Sequence, residues 1–326
     1  MRGPTGEETT AVLRGAIGAA LWAPSVHNTQ PWSFGLSGGE LSLRADVDRL
    51  LRAGDVSGRE MLVSCGAALC NVQMALLAGG HTPEVRVLPD PDRPNLLATV
   101  RLGEDVEADE HSRMLFGEVE RRRTHRGGFT DVPVPDGLID ALVREAAAVG
   151  VRLTPVLAPS GVRVIAALTA AAEEIQEHDL DFSLELLRWA RPPGDERGEG
   201  VPAGGYPAEP ETAFAQRDYA HGKGWGYEAE PGATAGTVAV LTTVEDRRKD
   251  WLAAGQALQR VLLRASASGV SAAFHTQALE MHHLREFLRE ELLSNEHPQM
   301  IMRLGVAKEG PVPPRRALDD VLDTDR

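Results

Sequence analysis

Cysteine and lysine are scarce in this chain of 326 residues, and each shortage excludes a class of function. The only cysteines, Cys65 and Cys70, lie five residues apart in an apolar stretch. They form neither a CxxC motif nor a plausible disulfide, so we expect a reduced compartment and a structural role. Lysine occurs only three times, arginine supplies the other 31 basic residues, and acidic residues outnumber both, which gives a formal net charge of −14. Nucleic acid and membrane surfaces are therefore poor partners, because phosphate binding requires basic residues.

Membrane, secretion and several enzyme signatures are missing as well. We see no apolar run near the roughly 18 residues that a membrane span requires. The start, MRGPTGEETT, lacks the apolar core of a secretory signal, so the expected location is cytoplasmic. No P-loop, GxSxG elbow or strand-linked GxGxxG is present, and the histidines do not form an HExxH pattern. These absences disfavour a Rossmann fold and a zinc site.

The order of predicted elements repeats along the chain. With 42% hydrophobic residues the protein can bury a core, and its length suggests two folding units. Helical spacing at 8–22 precedes a hairpin at 32–45, a long apolar helix at 58–80 and two short strands. An acidic stretch at 103–112 is predicted to be a linker. Helices at 135–149 and 161–178, the latter capped by Ser160, then lead to a strand at 237–243, a second long apolar helix at 250–269 and a last strand. We predict an α+β fold of two related halves, 1–105 and 106–326.

Residues 191–236 resist assignment because they are rich in glycine and proline. A compact domain rarely carries so long a loop unless it is a lid or is disordered. The segment holds all three tyrosines, Tyr206, Tyr219 and Tyr227, and aromatic residues are unusual in disordered chain. It is predicted to be a lid over a pocket, or alternatively a loop that uses aromatics to pin itself to the surface.

Two short stretches could carry chemistry. APSVHNTQPW, at 23–32, packs short hydrogen-bonding side chains between two prolines, so the turn either braces itself or holds a polar, planar ligand. VERRRTHRGGF, at 119–129, places four arginines around a threonine, a set that suits a phosphate group. Three arginines in a row arise by chance about 0.3 times in a chain of this composition. Alone, the second stretch therefore indicates only a solvated face.

Together the two stretches resemble a known family. APSVHNTQPWSF is similar to the APSSxNxQPWxF signature of FMN-dependent nitroreductases, and RRRTHRGGF resembles that family's RRSxRxF-type start. The stretches at 269–288 and 297–322 resemble its P-I-E-G-like turn and its last strand with a basic pair. Here the arginine motif follows the PSxxNxQPW motif instead of preceding it. That order resembles the single-chain Acg-like branch, a fused pseudo-dimer with one intact flavin site and a lid.

The resemblance implies a set of FMN-binding positions. Ring contacts would come from the first stretch, with Gln30 bracing it: Pro24, Ser25, Val26, Asn28 and Gln30. Phosphate contacts would come from Arg122, Thr124 and, less directly, Arg123, completed by Arg315 or Arg316. Arg126 would lie near the pyrimidine edge of the ring, where a cation stabilises negative charge. The turn that would offer a backbone N–H to flavin N5 is formed by Ala278, Leu279 and Glu280.

The implied activity is two-electron transfer from NAD(P)H through FMN to a small acceptor such as a nitroaromatic or a quinone. No side chain need act as an acid or base, so no catalytic residue and no metal are assigned. The alternative is a protein that sequesters or stores FMN because its lid seals the ring; loss of flavin binding is a third possibility. A monomer or a weak homodimer is expected, since internal pairing removes the family's reason to dimerise.

Overall fold

The computed structural model describes residues 6–210, 214–220, 222–229, 232–307 and 310–323. Two four-stranded antiparallel sheets, each accompanied by helices, form its framework. This confirms the α+β prediction.

The first half is built around one sheet with the strand order β1-β2-β4-β3. Gly38 and Gly39, with φ of 57° and 73°, form the tight turn between the first two strands, and Trp32 and Phe34 are fully buried beneath it. The predicted hairpin is therefore confirmed. The elements are α1 (Gly6–Ala20), β1 (Trp32–Ser37), β2 (Glu40–Ala45), α2 (Arg59–Ala78), β3 (His81–Val87) and β4 (Leu96–Asp105).

The second half repeats this topology with more insertions. Its elements are α3 (Glu110–Gly117), α4 (Asp136–Ala147), β5 (Arg152–Pro155), α5 (Pro159–Glu177), α6 (Leu180–Trp189), β6 (Ala190–Arg191), β7 (Val201–Pro202), β8 (Thr237–Thr243), α7 (Arg248–Ser266), β9 (Ser271–Phe274), α8 (Gln277–Glu280), α9 (His282–Glu291), β10 (His297–Gly305) and α10 (Leu318–Val321). The main sheet has the order β5-β8-β10-β9. In both main sheets the order is thus first, second, fourth, third, with a long helix between the second and third strands. The halves are duplicated in topology.

The long helices α2 and α7 join the halves by packing backbone against backbone. A Cβ atom added at Gly66 would lie 2.2 Å from the carbonyl oxygen of Leu252, and one added at Gly255 would lie 2.0 Å from that of Val63. Across the same contact, the Gln259 amide donates to Asn71 Oδ1 at 2.7 Å, and both side chains are buried. Glycine at these two positions therefore permits a close approach that no other residue would allow.

Helix α2 corrects the expectation about apolar runs. Its 20 residues are long and apolar enough to cross a bilayer, since an 18-residue window within it has a mean hydropathy of 1.7. However, 78% of that window is buried inside the fold. Cys65 and Cys70 lie on this helix as free, buried thiols, as predicted. Burial raises the pKa of both, that of Cys70 to about 12, so neither forms the reactive thiolate at neutral pH.

Several local predictions are corrected by the structure. The acidic stretch at 103–112 is not simply a linker, since β4 runs to Asp105 and α3 begins at Glu110 with Asp109 as its N-cap. Ser160 lies inside α5, whose N-cap is Ala158 and whose first turn contains Pro159.

The end of the chain returns to the first sheet. Val321 is buried in the core of the first half, Leu322 forms a bridge with Phe34, and the Asp323 amide donates to the Phe34 carbonyl at 2.7 Å. The division into 1–105 and 106–326 stays a prediction about sequence halves. The packing of residues 318–323 crosses that division.

Candidate functional site

The turn between α1 and β1 adopts a strained backbone. His27, Asn28 and Gln30 have φ values of 48°, 56° and 50°, in the left-handed region that side chains rarely enter. Ser25 stabilises the turn through two hydrogen bonds. Its Oγ accepts from the backbone N–H of Gln30 at 2.9 Å, and its carbonyl accepts from the backbone N–H of Asn28 at 3.0 Å. The short polar side chains thus brace a turn whose strain indicates a functional position.

This turn forms one wall of a cavity between the two halves. The cavity has about 880 Å³ of empty space, its open mouth included. We call it the ring cavity. From the first half it is lined by Pro24, Ser25, Val26, His27, Glu60, Val63 and Ser64. From the second half it is lined by Thr124, His125, Arg126, Tyr206, Pro207, Gln216, Arg217, Tyr219, Leu258, Ala273, Phe274, Thr276, Gln277 and Met300.

A smaller recess, the anion pocket, adjoins the ring cavity and shares part of its wall. It is lined by Pro24, Ser25, Asn28, Arg122, Thr124, Arg126, Pro202, Gly205, Pro311, Pro313 and Arg315. The arginine-bearing segment is fixed to the edge of β9, where the His125 amide donates to the Ala272 carbonyl at 2.9 Å. This contact places arginines of the second half beside the turn of the first half.

The guanidinium groups of the anion pocket have neutral partners. Arg122 is 3% exposed and donates to Thr124 Oγ1 at 3.4 Å and to the Trp22 carbonyl at 3.3 Å. Arg315 donates to Asn28 Oδ1, to the Pro314 carbonyl and to the same Trp22 carbonyl. The Nε atoms of both arginines are buried without a hydrogen-bond partner. Within the described ranges, no carboxylate forms an ion pair with Arg122, Arg126 or Arg315.

Mutual repulsion among these cations lowers their affinity for protons. Burial and then Arg315 lower the pKa of Arg122 to about 9, and burial followed by Arg123 and Arg126 lowers the pKa of Arg315 to about 9. Buried like charges are stabilised when an anion comes between them. The donor set, two guanidiniums beside a threonine hydroxyl, suits a phosphate.

Part of the segment predicted as a lid lines this region. Tyr206 and Tyr219 are buried, pack with ring centres 5.3 Å apart and line the ring cavity. A hydrogen bond of 3.0 Å joins Tyr219 Oη to His27 Nδ1, and the Arg126 guanidinium lies 5.6 Å from the Tyr219 ring centre. The aromatic residues therefore form the wall of the cavity, rather than only pinning a surface loop.

A buried ion pair fastens the lid at the other end of the ring cavity. Arg217 of the lid donates to Glu280 at 2.7 Å, and both side chains are less than a tenth exposed. Glu60 lies nearby on α2, where it pairs with Arg59 at 2.8 Å. Burial and the neighbouring Glu280 raise the pKa of Glu60 well above its usual value. The far end of the cavity thus holds a cluster of buried, partly compensated charges.

With this geometry in hand, the chain can be compared with known proteins. A family model described as the nitroreductase family matches residues 119–306, more than half of the chain. The chain is 31% identical over 320 residues to "Putative NAD(P)H nitroreductase acg" of Mycobacterium tuberculosis, covering 96% of each protein. It is 33% identical over 321 residues to "Putative NAD(P)H nitroreductase Rv3131" of the same organism, covering 95% of this chain and 91% of the relative. The chain belongs to the nitroreductase family.

Solved structures of nitroreductases are also similar to this chain. A nitroreductase with bound FMN from Desulfitobacterium hafniense matches 65% of this chain and 98% of its own, with 14% identity and a TM-score of 0.42. The FMN-dependent nitroreductase NfnB of Mycobacterium smegmatis, in complex with NADPH, matches 67% and 99%, with 17% identity and a TM-score of 0.41.

The structure brings together most of the positions that the nitroreductase motifs select. Pro24, Ser25 and Val26 line the ring cavity, and Arg126 lies where it meets the anion pocket. Of the two candidates in the basic pair, Arg315 and not Arg316 faces the anion pocket. Arg316 instead donates to the carbonyls of Gln30 and Trp32 at 3.2 and 3.3 Å.

Other positions lie elsewhere. Arg123 turns to an outer cleft and donates to the Glu120 and Arg122 carbonyls. Gln30 is fully buried and braces the turn, as predicted, by donating to the Gly198 carbonyl at 2.7 Å. The amide of Asn28 lines the anion pocket and not the ring cavity.

The P-I-E-like turn is the clearest departure from the family expectation. Ala278 and Leu279 are buried in a core cluster, and Glu280 is held by Arg217. The amides of Leu279 and Glu280 both donate to the Thr276 carbonyl, so neither is free for a ligand. The cavity-lining residues of this stretch are instead Thr276 and Gln277.

Sequence reasoning missed several residues of the cavity. Glu60 and Ser64 lie in an apolar helix that gave no functional signal, and Arg217 lies in the irregular segment, which was predicted as a lid without singling out this residue. The concentration of tyrosines was the one signal that pointed to the lid side. Among the described residues, no group of three or more His, Cys, Asp and Glu could hold a metal.

Proposed function

We propose that this protein binds FMN between its halves and transfers two electrons from NAD(P)H to a small acceptor such as a nitroaromatic or a quinone. The observation that carries the proposal is the pair Arg122 and Arg315 beside Thr124: both Nε atoms are buried without a hydrogen-bond partner, and neither guanidinium pairs with a carboxylate among the described residues. A phosphate would satisfy those donors. The adjoining ring cavity offers a planar ligand the wall formed by Pro24, Ser25 and Val26.

The residues present fit this cofactor, and each has a physical part. Arg122, Thr124 and Arg315 would hold the phosphate, and Arg126 would place a cation near the ring. When bound, FMN supplies the two-electron chemistry, while the protein binds, orients and shields it. Because one half supplies the turn and the other the arginines, a single chain forms the whole site. We further propose that the duplicated halves correspond to the two subunits of a fused dimer.

The lid supports a second candidate function. Tyr206 and Tyr219 are buried against the ring cavity, so a nicotinamide has no obvious place to stack while they remain there. The protein would then sequester or store FMN. An anaerobic mixture of the FMN-loaded protein with NADPH separates the two functions. Rapid bleaching of the flavin absorbance is expected of the reductase, and no bleaching over many minutes indicates sequestration.

A shortened lid identifies the cause if bleaching is absent. The Ala208 amide donates to the Tyr227 carbonyl at 2.9 Å, so residues 209–226 can be replaced by a short Gly-Ser linker without stretching the chain. The excision removes Arg217, the ion-pair partner of Glu280. Glu280→Gln should therefore accompany it, because an unpaired buried carboxylate would otherwise remain. The full-length Glu280→Gln protein is the matched control. Bleaching only after the excision would assign the block to residues 209–226, Tyr219 included, and unchanged rates would exclude these residues as its cause.

A further inference from the structure

Every polar atom of the Asn28 side chain is engaged. Its Oδ1 accepts from Arg315 Nη1 at 3.1 Å, and its Nδ2 donates to the Gly200 carbonyl at 2.9 Å and to the Pro314 carbonyl at 3.1 Å. Its backbone carbonyl accepts from the Gly200 amide, also at 3.1 Å. Asn28 is 7% exposed, so these bonds are shielded from water.

The partners of Asn28 belong to two different parts of the site. Arg315 is one of the two arginines of the anion pocket whose Nε atoms are buried without a partner, whereas Gly200 lies at the base of the predicted lid, next to β7. The lid backbone is tightly seated there. A Cβ atom on Gly198 would lie 2.5 Å from the Arg315 carbonyl oxygen, and one on Gly200 would lie 2.5 Å from the Trp189 carbonyl oxygen. The side-chain amide of Asn28 therefore connects the Arg315 guanidinium to Gly200, at the base of the predicted lid.

We propose that Asn28 is a positioning residue that couples occupancy of the anion pocket to closure of the lid. The inference rests on the proposed FMN site. A phosphate would fix the Arg315 guanidinium, and Arg315 would in turn fix the Asn28 amide in the orientation that binds Gly200. By thermodynamic reciprocity, a closed lid must then raise the affinity for the phosphate by the same factor. The coupling uses the Asn28 side chain for a purpose other than a contact with the ring.

Lid order and FMN affinity are the two quantities to measure. Hydrogen exchange or limited proteolysis of residues 195–229 is followed without FMN and at saturating FMN, and the dissociation constant is obtained by fluorescence titration. For Asn28→Ala we expect about tenfold weaker FMN binding, from the loss of buried hydrogen bonds to a charged group. We also expect most of the FMN-dependent protection of the lid to disappear even at saturation. Asn28→Gly removes the same amide but tolerates the left-handed backbone, so it keeps the test valid if the alanine variant does not fold.

Two controls separate coupling from general loosening. Thr124→Val removes a hydroxyl from the anion pocket only, so FMN should bind more weakly while its protection of the lid at saturation persists. Tyr219→Phe removes the lid's bond to His27 without touching Arg315. The lid should then be less protected in both states, with the FMN-dependent gain retained.

The outcomes distinguish this inference from the proposed function. If the wild-type protein does not bind FMN, both are wrong. If it binds FMN and the Asn28 variants keep the full FMN-dependent protection, only the coupling is wrong. Loss of that protection in the Asn28 variants but not in the Thr124 and Tyr219 variants supports it.

Discussion

The two halves share a scaffold but differ in the segment that joins the leading helix to the first strand. In the first half this segment spans residues 21–31 and forms the left-handed turn of the ring cavity. In the second half it spans only residues 148–151, between α4 and β5. Four residues are too few for a second turn of that kind. The strand order has thus been kept in both halves, while the loops that carry binding differ.

The arginines show the converse difference between the halves. Arg122 and Thr124 come from the second half, and Arg315 comes from the segment that leads back to the first sheet. Each half therefore contributes what the other does not. A duplicated scaffold of this kind can hold one composite site.

The strongest test of this comparison removes the two positive charges beside the proposed phosphate, those of Arg122 and Arg315. Arg122→Ala combined with Arg315→Ala should weaken FMN binding by about 3 to 6 kcal/mol, since hydrogen bonds to charged groups contribute about 1.5 to 3 kcal/mol each. Calorimetric or fluorescence titration measures the effect. Arg121→Ala is the matched control from the same run, because that side chain is 77% exposed and paired with Glu118. Unchanged affinity in the double variant, or an equal loss in the control, would place the phosphate elsewhere.

The contact between the halves can be tested at Gly255, a position that does not itself line the site. Gly255→Ala should lower the free energy of unfolding by about 2 to 3 kcal/mol, because the new methyl group would collide with the Val63 carbonyl. Urea unfolding monitored by circular dichroism measures this. Gly18→Ala in α1, where a Cβ atom would meet nothing within 4 Å, should be neutral or stabilising. Equal stability of the two variants would contradict the close packing of α2 and α7.

A smaller effect concerns the acid stability of the second half. Two bonds of 2.7 Å join Asp246 to Arg285, and together with Gln299 and Trp251 they hold the pKa of Asp246 well below its usual range despite burial. A lowered carboxyl pKa stabilises the fold above about pH 4 and loses that contribution as the pH falls towards the folded-state value. Asp246→Asn should therefore cost about 2 kcal/mol near pH 7 and progressively less below pH 4.

Unfolding measured across that pH range checks the prediction. Asp319→Asn, which removes an exposed pair with Arg14, should change the stability by less than about 1 kcal/mol at any pH. A cost for Asp246→Asn that persists undiminished at low pH would show that the carboxylate charge is not its source.

Local patterns predicted much of the scaffold. The alternation around Gly38 and Gly39 identified the hairpin, and helical spacing identified α2 and α7 to within three residues at each end. Helix α6 was missed although Phe182, Leu186 and Trp189 recur at helical spacing, so its signal was local and readable. The N-cap at Ser160 was wrong because Pro159 is tolerated within the first turn and moves the helix start forward.

The functional positions were only partly readable. The two motifs selected the turn and, within the arginine run, Arg122, but they could not exclude Arg123 or choose between Arg315 and Arg316. They also placed the turn that would contact flavin N5 at Ala278, Leu279 and Glu280. In the structure, Thr276 and Gln277, just before that turn, line the cavity. Glu60 and Arg217 gave no signal because their neighbours in space are distant in the chain.

The sequence by itself determined the hairpin, the paired apolar helices and the polar turn, because their periodicities and turn residues act between neighbours in the chain. Only the tertiary structure decided which arginines, within the described part of the chain, face the anion pocket without a carboxylate partner, and that the Asn28 amide lies between Arg315 and Gly200. Adjacent side chains point in different directions, and the packing of segments that are hundreds of residues apart determines which of them meet.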